Sequence, residues 1–206
     1  DSIYDRCHVP ELADVHFVDW SGGDGREAYS RDLSCRIHWS EDVKGNPTYL
    51  PTCVTQAQYI INLASLKGHN LAGVSLCAKN HFGSICSDLN GKPTQQAPQG
   101  AKLTGDSRWQ SAPFNNDWPS SLFVSQDGVA IDSVGLDFLR SEPTIQKLPD
   151  VLPPHSTSDN YLHEAALAND PPSHTFYDPE GGSTGLTSHG VHEHWNNAID
   201  KQYSRN

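Results

Sequence analysis

The sequence predicts an α/β fold, a mixed sheet with flanking helices and long irregular loops. Short segments of β-branched or alternating apolar residues are interleaved with segments of helical periodicity, which is typical of this class. The chain contains 16 glycines and 14 prolines among 206 residues, so much of it is expected to be loop. Five tryptophans, seven tyrosines and six phenylalanines can still build a core, and we expect a single domain over residues 1–206.

Three segments predict strands. Residues 15–19 (VHFVD) alternate apolar and polar side chains, and the glycine-rich residues 21–25 (SGGDG) that follow predict a turn. Residues 33–39 (LSCRIHW) predict a second strand, and residues 59–63 (YIINL) predict a third, buried strand because they are short and β-branched. Residues 45–51 contain two prolines and predict the loop between the second and third strands.

Three segments predict helices. Residues 71–82 carry apolar side chains at intervals of three or four residues, the spacing of a helix face. Residues 131–140 (IDSVGLDFLR) predict a second helix despite an internal glycine. Ser158 or Asp159 can cap a third helix over residues 160–168, because its side-chain oxygen can accept a backbone N–H that lacks a helical partner.

Charge, hydropathy and cysteine spacing exclude several classes of partner and cofactor. The formal net charge of -11 and a pI near 5.3 argue against nucleic-acid binding, which needs a basic surface. No apolar run approaches the roughly 18 residues of a membrane span, so no transmembrane helix is expected. The five cysteines form no C-x-x-C pair, so no ferredoxin-type iron–sulfur cluster is expected, while free thiols and disulfides both remain open.

The segment 61–85 (INLASLKGHNLAGVSLCAKNHFGSI) places cationic and polar side chains in an otherwise apolar run. Such groups are costly to bury unless an opposite charge pairs with them. Lys67 and His69 follow a predicted strand at the end where α/β sheets bind ligands, so a small anionic ligand such as phosphate or carboxylate is expected there. The alternative is that acidic residues of the same chain pair with the lysines. The expected catalytic residues are Lys67, His69 and Lys79, and the expected ligand-binding residues include Asn80 and His81.

Three histidines near the end of the sequence are candidate ligands of a divalent transition metal, namely Zn, Fe or Cu. His192 and His194 are two residues apart, so both rings would lie on one side of an extended strand. His189 can reach the same point, because Gly190 lies between it and the other two. Imidazoles with a nearby carboxylate bind these metals. The alternative is an ordered tail whose histidines form local hydrogen bonds.

Two aspartates of the second predicted helix allow two interpretations on the sequence alone. Asp132 and Asp137 are five residues apart, so they diverge by about 140° around a helix and cannot form a compact pair. A solvated or capping role is one interpretation of these carboxylates. The other is that one of them meets a lysine of the segment 61–85.

The segment 61–85 resembles the signature of domain of unknown function 362, a bacterial and archaeal family with a K-x-H and then a K-N-x-F-G pattern. The segment VAIDSVGLDFLRSE is similar to a downstream segment of that family centred on an aspartate, which implies that Asp132 binds ligand. The likeness covers most of the chain and is strongest in residues 48–89 and 127–206. The residues that match the pattern are Lys67, His69, Lys79, Asn80, Phe82 and Gly83.

The resemblance also implies where the protein acts and what it does. Residues 160–206 resemble the corresponding part of longer, exported members, which implies an exported protein that has a further α/β portion before residue 1. Some members carry ferredoxin-type clusters, which implies a redox role, although this chain lacks those cysteines. Two functions remain open: a protein with an anionic-ligand or cofactor site that is metal-assisted and redox-related, or a non-catalytic exported protein that self-assembles as a homo-oligomer.

Overall fold

The computed structural model of the chain divides into two compact units, Asp1–Ile61 with Gly83–Gln96 and Asn62–Phe82 with Ala97–Asn206. Small sheets combined with helices confirm the predicted α/β class, while the single domain over residues 1–206 stays a prediction. The structure describes residues 3–19, 21–38, 47–69, 73–82, 84, 86–87, 108–144, 157–178, 182 and 185–204.

The regular structure of the described residues consists of short strands and helices. The strands are β1 (Val18–Asp19), β2 (Glu27–Ala28), β3 (Arg31–Ile37), β4 (Thr48–Pro51), β5 (Lys67–His69), β6 (Gly73–Ser75) and β7 (Cys86–Ser87). The helices are α1 (Ile3–Cys7), α2 (Thr52–Thr55), α3 (Cys77–Phe82), α4 (Gly128–Ser141) and α5 (Thr157–Ala166), with a 3-10 turn at Pro10–Leu12. None of the helices in these parts of the chain has the length and apolar character needed to span a membrane.

The first unit contains two small sheets. Strands β1 and β2 pair in parallel, and the predicted turn between them is confirmed: the Asp19 carboxylate accepts the backbone N–H groups of Ser21 and Gly22. Strands β3, β4 and β7 form an antiparallel sheet with β4 in the centre. The prediction of a loop at residues 45–51 was wrong over Thr48–Pro51, which is β4. Pro47 precedes that strand and Pro51 is its last residue, so neither proline stands in the middle of the strand.

The predicted single helix over residues 71–82 was wrong. Gly73–Ser75 form β6, which pairs with β5 in an antiparallel hairpin, and only Cys77–Phe82 are helical, while residues 71–72 lie outside the described residues. Val74 is fully buried in β6. The spacing of three and four residues therefore runs through a strand and a short helix and does not mark one helix face, since tertiary context overrides local propensity.

The predicted buried strand at residues 59–63 was also wrong. The segment forms no strand among the described residues, and Tyr59 and Ile61 are both 89% exposed. A β-branched composition favours a pleated, half-buried surface, and it yields a strand only where a neighbouring strand pairs with it. The absence of such a partner among the described residues accounts for the difference.

Helix α4 lies at the centre of the second unit and confirms the helix predicted over residues 131–140. Its side chains Leu136 and Leu139 are fully buried and pack with Val74 and Leu162 in one core cluster. Gly135 allows close packing on the same helix, because a Cβ at that position would lie only 2.6 Å from Cδ2 of Leu76.

Four carboxylates on or next to α4 hold the segments around that helix; they are Asp127, Asp132, Asp137 and Glu142, called the α4 carboxylates below. Neighbours in this series are five residues apart, so successive side chains point about 140° apart around the axis. Each accepts at least one backbone N–H from a segment distant in sequence. The donors are Val191 N to Asp127 (2.9 Å), Cys77 N and Ala78 N to Asp132 (2.7 and 2.9 Å), Trp195 N to Asp137 (3.0 Å), and Gln110 N and Ser111 N to Glu142 (3.0 Å each).

The predicted third helix is confirmed as α5. Asp159 lies inside the helix, and its carboxylate accepts a hydrogen bond from Arg140 of α4, while the side chain of Ser158 lies outside the described part of the structure. Residues 185–204 follow α5 in sequence and are called the tail below. The tail contacts both α4 and α5. The tail is fixed by backbone hydrogen bonds that include His189 N to Ala165 O at 3.0 Å.

Gly190 lies where the tail passes the beginning of α4. Its φ is +151°, and a Cβ there would lie 2.0 Å from Oδ1 of Asp127, the carboxylate that caps α4 and also accepts the Val191 N–H. We therefore expect Gly190→Ala to lower the free energy of unfolding by about 2 kcal/mol. Urea denaturation measures this change.

The matched control for this substitution is Gly185→Ala in the same tail. A Cβ at Gly185 would meet its nearest neighbour, a ring carbon of Phe176, only at 4.0 Å. We expect a change of less than about 0.5 kcal/mol in the free energy of unfolding. Equal effects of the two substitutions would contradict the assigned role of Gly190.

Candidate metal centre

Two tail histidines and one helix carboxylate of the second unit bring three potential metal ligands together. The ligand atoms of Asp159, His192 and His194 all lie within 4.8 Å of one another. Oδ1 of Asp159 is 3.0 Å from Nε2 of His194 and 3.9 Å from Nε2 of His192. Ligands of a tetrahedral zinc ion at its usual bond lengths are separated by about 3.3 Å, so small side-chain movements suffice to reach that geometry.

His192 presents an unprotonated nitrogen to this cluster. Its side chain is 1% exposed, and Nδ1 lies 2.7 Å from Oγ of Ser133. The Ser133 hydroxyl donates its single proton to the carbonyl oxygen of Val129, so Nδ1 of His192 must be the donor in the first contact. Nε2 therefore carries the lone pair, and it has no hydrogen-bond partner among the described residues.

The electrostatic surroundings keep His192 neutral. Burial, followed by the neighbouring imidazoles of His163 and His194, lowers the pKa of His192 to about 4. At neutral pH the lone pair of Nε2 thus faces the Asp159 carboxylate with no proton between them. Two acceptors placed in this way repel each other, and a cation between them would remove the repulsion.

His194 bridges two carboxylates. Its Nδ1 lies 2.6 Å from Oδ1 of Asp137, and its Nε2 lies 3.0 Å from Oδ1 of Asp159. These two hydrogen bonds raise the pKa of His194 to about 9, so the ring is an imidazolium at neutral pH when no metal is present. A metal ion on Nε2 would replace the proton of that nitrogen. Nδ1 would keep its proton and donate it to Asp137, which orients the ring, an arrangement common around metal-binding histidines.

Arg140 and Tyr203 hold the two carboxylates in position. Nη2 of Arg140 donates to Oδ2 of Asp159 at 2.6 Å, and the Tyr203 hydroxyl donates to Oδ2 of Asp137 at 3.1 Å. Burial alone would raise the pKa of Asp159, but the hydrogen bonds from His194 and Arg140 outweigh burial and hold that pKa well below its usual value. Asp159 is therefore ionised at neutral pH, as a metal ligand must be.

The structure brings two of the three histidines predicted as metal ligands into the cluster. His189 has an exposed side chain and lies outside the group of ligand atoms described above, so its role as a ligand stays a prediction. The third member, Asp159, was missed because the sequence suggested a helix cap at that position. A weak signal was available, since Asp159 and His163 are four residues apart on one face of α5, and the His163 ring packs against that of His192 at 4.4 Å.

The residues predicted as an anionic-ligand site belong to β5 and α3. Lys67 and His69 lie on β5, and Lys79, Asn80 and His81 lie on α3; the side chain of His69 is outside the described part of the structure. Asn80 Nδ2 donates to Oδ1 of Asn62 at 2.7 Å. The catalytic roles of Lys67, His69 and Lys79 stay predictions, as do the ligand-binding roles of Asn80 and His81.

Asp132, the further residue predicted to bind ligand, belongs to α4, and its carboxylate lies against the beginning of α3. Its fully buried carboxylate accepts the N–H groups of Cys77 and Ala78, which have no helical partners there. Burial raises the pKa of Asp132, although both hydrogen bonds oppose this effect. The structure therefore supports the capping interpretation of Asp132, and a role in ligand binding stays a prediction.

Comparison with known proteins identifies a family for the first half of the chain. The family model described as Domain of unknown function (DUF362) matches residues 3–107. The matched range includes β5 and α3 and ends before α4, so the Asp159, His192 and His194 cluster lies beyond it. No curated protein and no solved structure matches the chain. The match covers about half of the 206 residues, and the chain belongs to the DUF362 family.

Proposed function

We propose that this DUF362 protein binds one divalent transition-metal ion, Zn, Fe or Cu, through His192, His194 and Asp159. The observation that carries the proposal is the buried Nε2 of His192, which has a lone pair and no hydrogen-bond partner among the described residues. Buried polar atoms of native proteins nearly always have a partner. The two groups that share its cluster, His194 and Asp159, are themselves metal-ligating types, so an ion is the partner that fits.

The set of ligands supports an open site rather than a closed structural one. Structural zinc sites use four protein ligands, often cysteines, whereas catalytic sites use three and leave a position for water or substrate. Two imidazoles and one carboxylate match the second arrangement. An ion held in this way polarises bound oxygen atoms and lowers the pKa of a bound water, and iron or copper would add the redox chemistry that the family resemblance implies.

The surrounding residues support the same function. Ser133 fixes the tautomer of His192, Asp137 orients His194, and Arg140 holds Asp159. Partners of this kind are found behind the ligands of most metal sites. Because His194 is protonated without metal, binding of the ion at pH 7 is expected to release about one proton.

Metal titration of the dialysed protein tests the proposal. We expect the wild-type chain to bind one equivalent of Zn²⁺ with release of a proton, measured by calorimetry in two buffers of different ionisation enthalpy. His192→Ala should weaken Zn²⁺ binding by at least about 100-fold, since it removes the preformed ligand. The matched control is His189→Ala, which removes an exposed imidazole three residues away and should keep the wild-type affinity.

Two results would contradict a metal site at this position. One is a wild-type protein that binds no Zn²⁺, Fe²⁺ or Cu²⁺ at stoichiometric concentration. The other is a His192→Ala protein that keeps the wild-type affinity for Zn²⁺. A metal-free protein that forms regular oligomers would favour the alternative of an exported self-assembling protein, for which exposed apolar residues such as Tyr59, Leu122 and Val124 offer contact surface.

A further inference from the structure

An open cleft adjoins the proposed metal site on the side of His194. Its volume is about 380 Å³, enough for a small organic ligand. Three of its lining residues, Asp137, Arg140 and His194, also belong to the metal site or hold its ligands. The remaining wall is partly apolar, with the Trp195 ring and Ala198. A ligand in this cleft could therefore reach both the metal and an apolar surface.

The formal charges of the occupied site favour an anion in the cleft. The carboxylates of Asp137 and Asp159 count as two formal negative charges, Arg140 counts as one positive charge, and a divalent ion counts as two. His194 would be neutral, because the metal takes the place of its Nε2 proton. The sum is one positive charge in a partly buried site, where charge interactions are stronger than in water.

Arg140 lies where it can contact such an anion. Its Nη1 is 3.2 Å from Nε2 of His194, the atom that would bind the metal, so a ligand of that ion would lie within reach of this donor. A guanidinium group only donates hydrogen bonds, and its planar shape suits a carboxylate. The Arg140 side chain is 12% exposed, which limits competition from solvent.

We propose that the open coordination position of the metal takes a small monocarboxylate, whose anionic oxygen contacts both the metal and Arg140 while its substituent packs on Trp195. This inference rests on the proposed metal site and names the class of ligand for that site. The Trp195 ring is itself held in place, because it packs edge-on against Phe138 at 5.1 Å and its backbone N–H is bound by Asp137.

Cobalt substitution of the full chain tests the inference, with acetate as the probe. Co²⁺ replaces zinc in most sites, and its visible absorption changes when a ligand enters the coordination sphere. We expect acetate, titrated against chloride at equal ionic strength, to change that spectrum in a saturable way. Arg140→Gln should raise the dissociation constant of acetate by about tenfold at saturating Co²⁺, because a hydrogen bond between two charged groups is lost.

The matched control is Lys201→Gln, which removes one positive charge near Trp195, as Arg140→Gln does. Nζ of Lys201 lies 5.4 Å from the Trp195 ring centroid, but Lys201 does not line the cleft. Lys201→Gln should change the acetate dissociation constant by less than about twofold. Arg140→Lys keeps the charge without the planar group and should give an intermediate value. Arg140→Lys also provides the test of Arg140 if the Arg140→Gln protein does not fold.

Each outcome separates the two proposals. A protein that takes up no Co²⁺ overturns the metal site and this inference together. Stoichiometric Co²⁺ with a spectrum that acetate leaves unchanged overturns the carboxylate ligand alone. Equal effects of Arg140→Gln and Lys201→Gln would show that Arg140 does not contact the anion. A spectrum that responds to inorganic phosphate more strongly than to acetate would overturn the assignment to monocarboxylates.

Discussion

Replacing Glu142 with glutamine is expected to lower the free energy of unfolding by about 2–4 kcal/mol. The carboxylate is fully buried at the end of α4 and accepts four hydrogen bonds from the described residues 110, 111 and 144. Glutamine has an NH₂ group in place of one carboxylate oxygen. This group would face some of the N–H and O–H donors and cannot accept from them, so buried N–H groups would lose their acceptor. The four contacts are Gln110 N and Ser111 N at 3.0 Å each, Thr144 N at 3.1 Å and Thr144 Oγ1 at 2.6 Å.

The matched control for Glu142 is Glu164→Gln. The Glu164 carboxylate also accepts a backbone N–H and a hydroxyl, both from Ser173, but these hydrogen bonds are exposed to solvent. Urea denaturation at pH 7 should therefore show a loss below about 1 kcal/mol for this variant. A loss at Glu142 no larger than that at Glu164 would contradict the structural role of Glu142.

The effect of Glu142 should also depend on pH. Burial alone would raise its pKa, but the hydrogen bonds from Thr144, Ser111 and Gln110 outweigh burial and lower it. A carboxylate with a depressed folded-state pKa stabilises the protein above its unfolded-state pKa of about 4.3, and that stabilisation is lost as the pH falls through the folded value. The difference between wild type and Glu142→Gln should therefore shrink below about pH 4.

Replacing Asp137 with asparagine is expected to have the second large effect, on both the tail and the metal site. Asp137 is 3% exposed and accepts hydrogen bonds from His194, the Trp195 backbone and the Tyr203 hydroxyl. Loss of its charge should lower the free energy of unfolding of the metal-free protein by about 2–3 kcal/mol. It should also weaken Zn²⁺ binding by about 10–100-fold, the usual effect of removing a partner behind a ligand.

Denaturation and calorimetry of the same variant measure both effects, and Asp200→Asn is the matched control. Asp200 is an exposed tail carboxylate whose contact is the Asn197 side chain at 2.8 Å, so we expect it to leave Zn²⁺ affinity unchanged. If Asp137→Asn kept the wild-type Zn²⁺ affinity, Asp137 would not orient His194 in the metal-bound form.

Asp137 should also set how the metal-free protein responds to alkali. The pKa of His194 is raised to about 9 by its hydrogen bonds to Asp137 and Asp159. A group with a raised folded-state pKa gives its full stabilisation below the unfolded-state value of about 6.5, and that stabilisation is lost as the pH rises through 9. Wild type should thus lose stability between about pH 7 and 9, and Asp137→Asn should lose less over the same interval.

Local periodicity predicted a helix correctly where one face of that helix packs against the core along its length. Helix α4 was predicted correctly because Leu136 and Leu139 recur on one helix face and that whole face packs against the core. Residues 71–82 failed because the same spacing spans a buried strand and a short helix. Residues 59–63 failed because strand formation depends on a pairing partner, which local composition does not encode.

The candidate site was predictable only where its geometry follows from the backbone. His192 and His194 are two residues apart on extended chain, and their ring centroids are 4.9 Å apart, as their spacing predicts. Asp159 could not be found in this way. Its partners are Arg140, from a different helix, and His194, which lies 35 residues later, so the contact is set by tertiary packing.

The α4 carboxylates bind their neighbouring segments through main-chain N–H groups, and this choice bears on how the protein can evolve. Every amino acid except proline offers the same N–H. The residues now at positions 77, 78, 110, 111, 191 and 195 can therefore be exchanged over generations without loss of these attachments, provided that proline never enters. The acidic residues themselves have no such freedom, so lineages that keep this architecture should retain the acids while the sequence opposite them drifts.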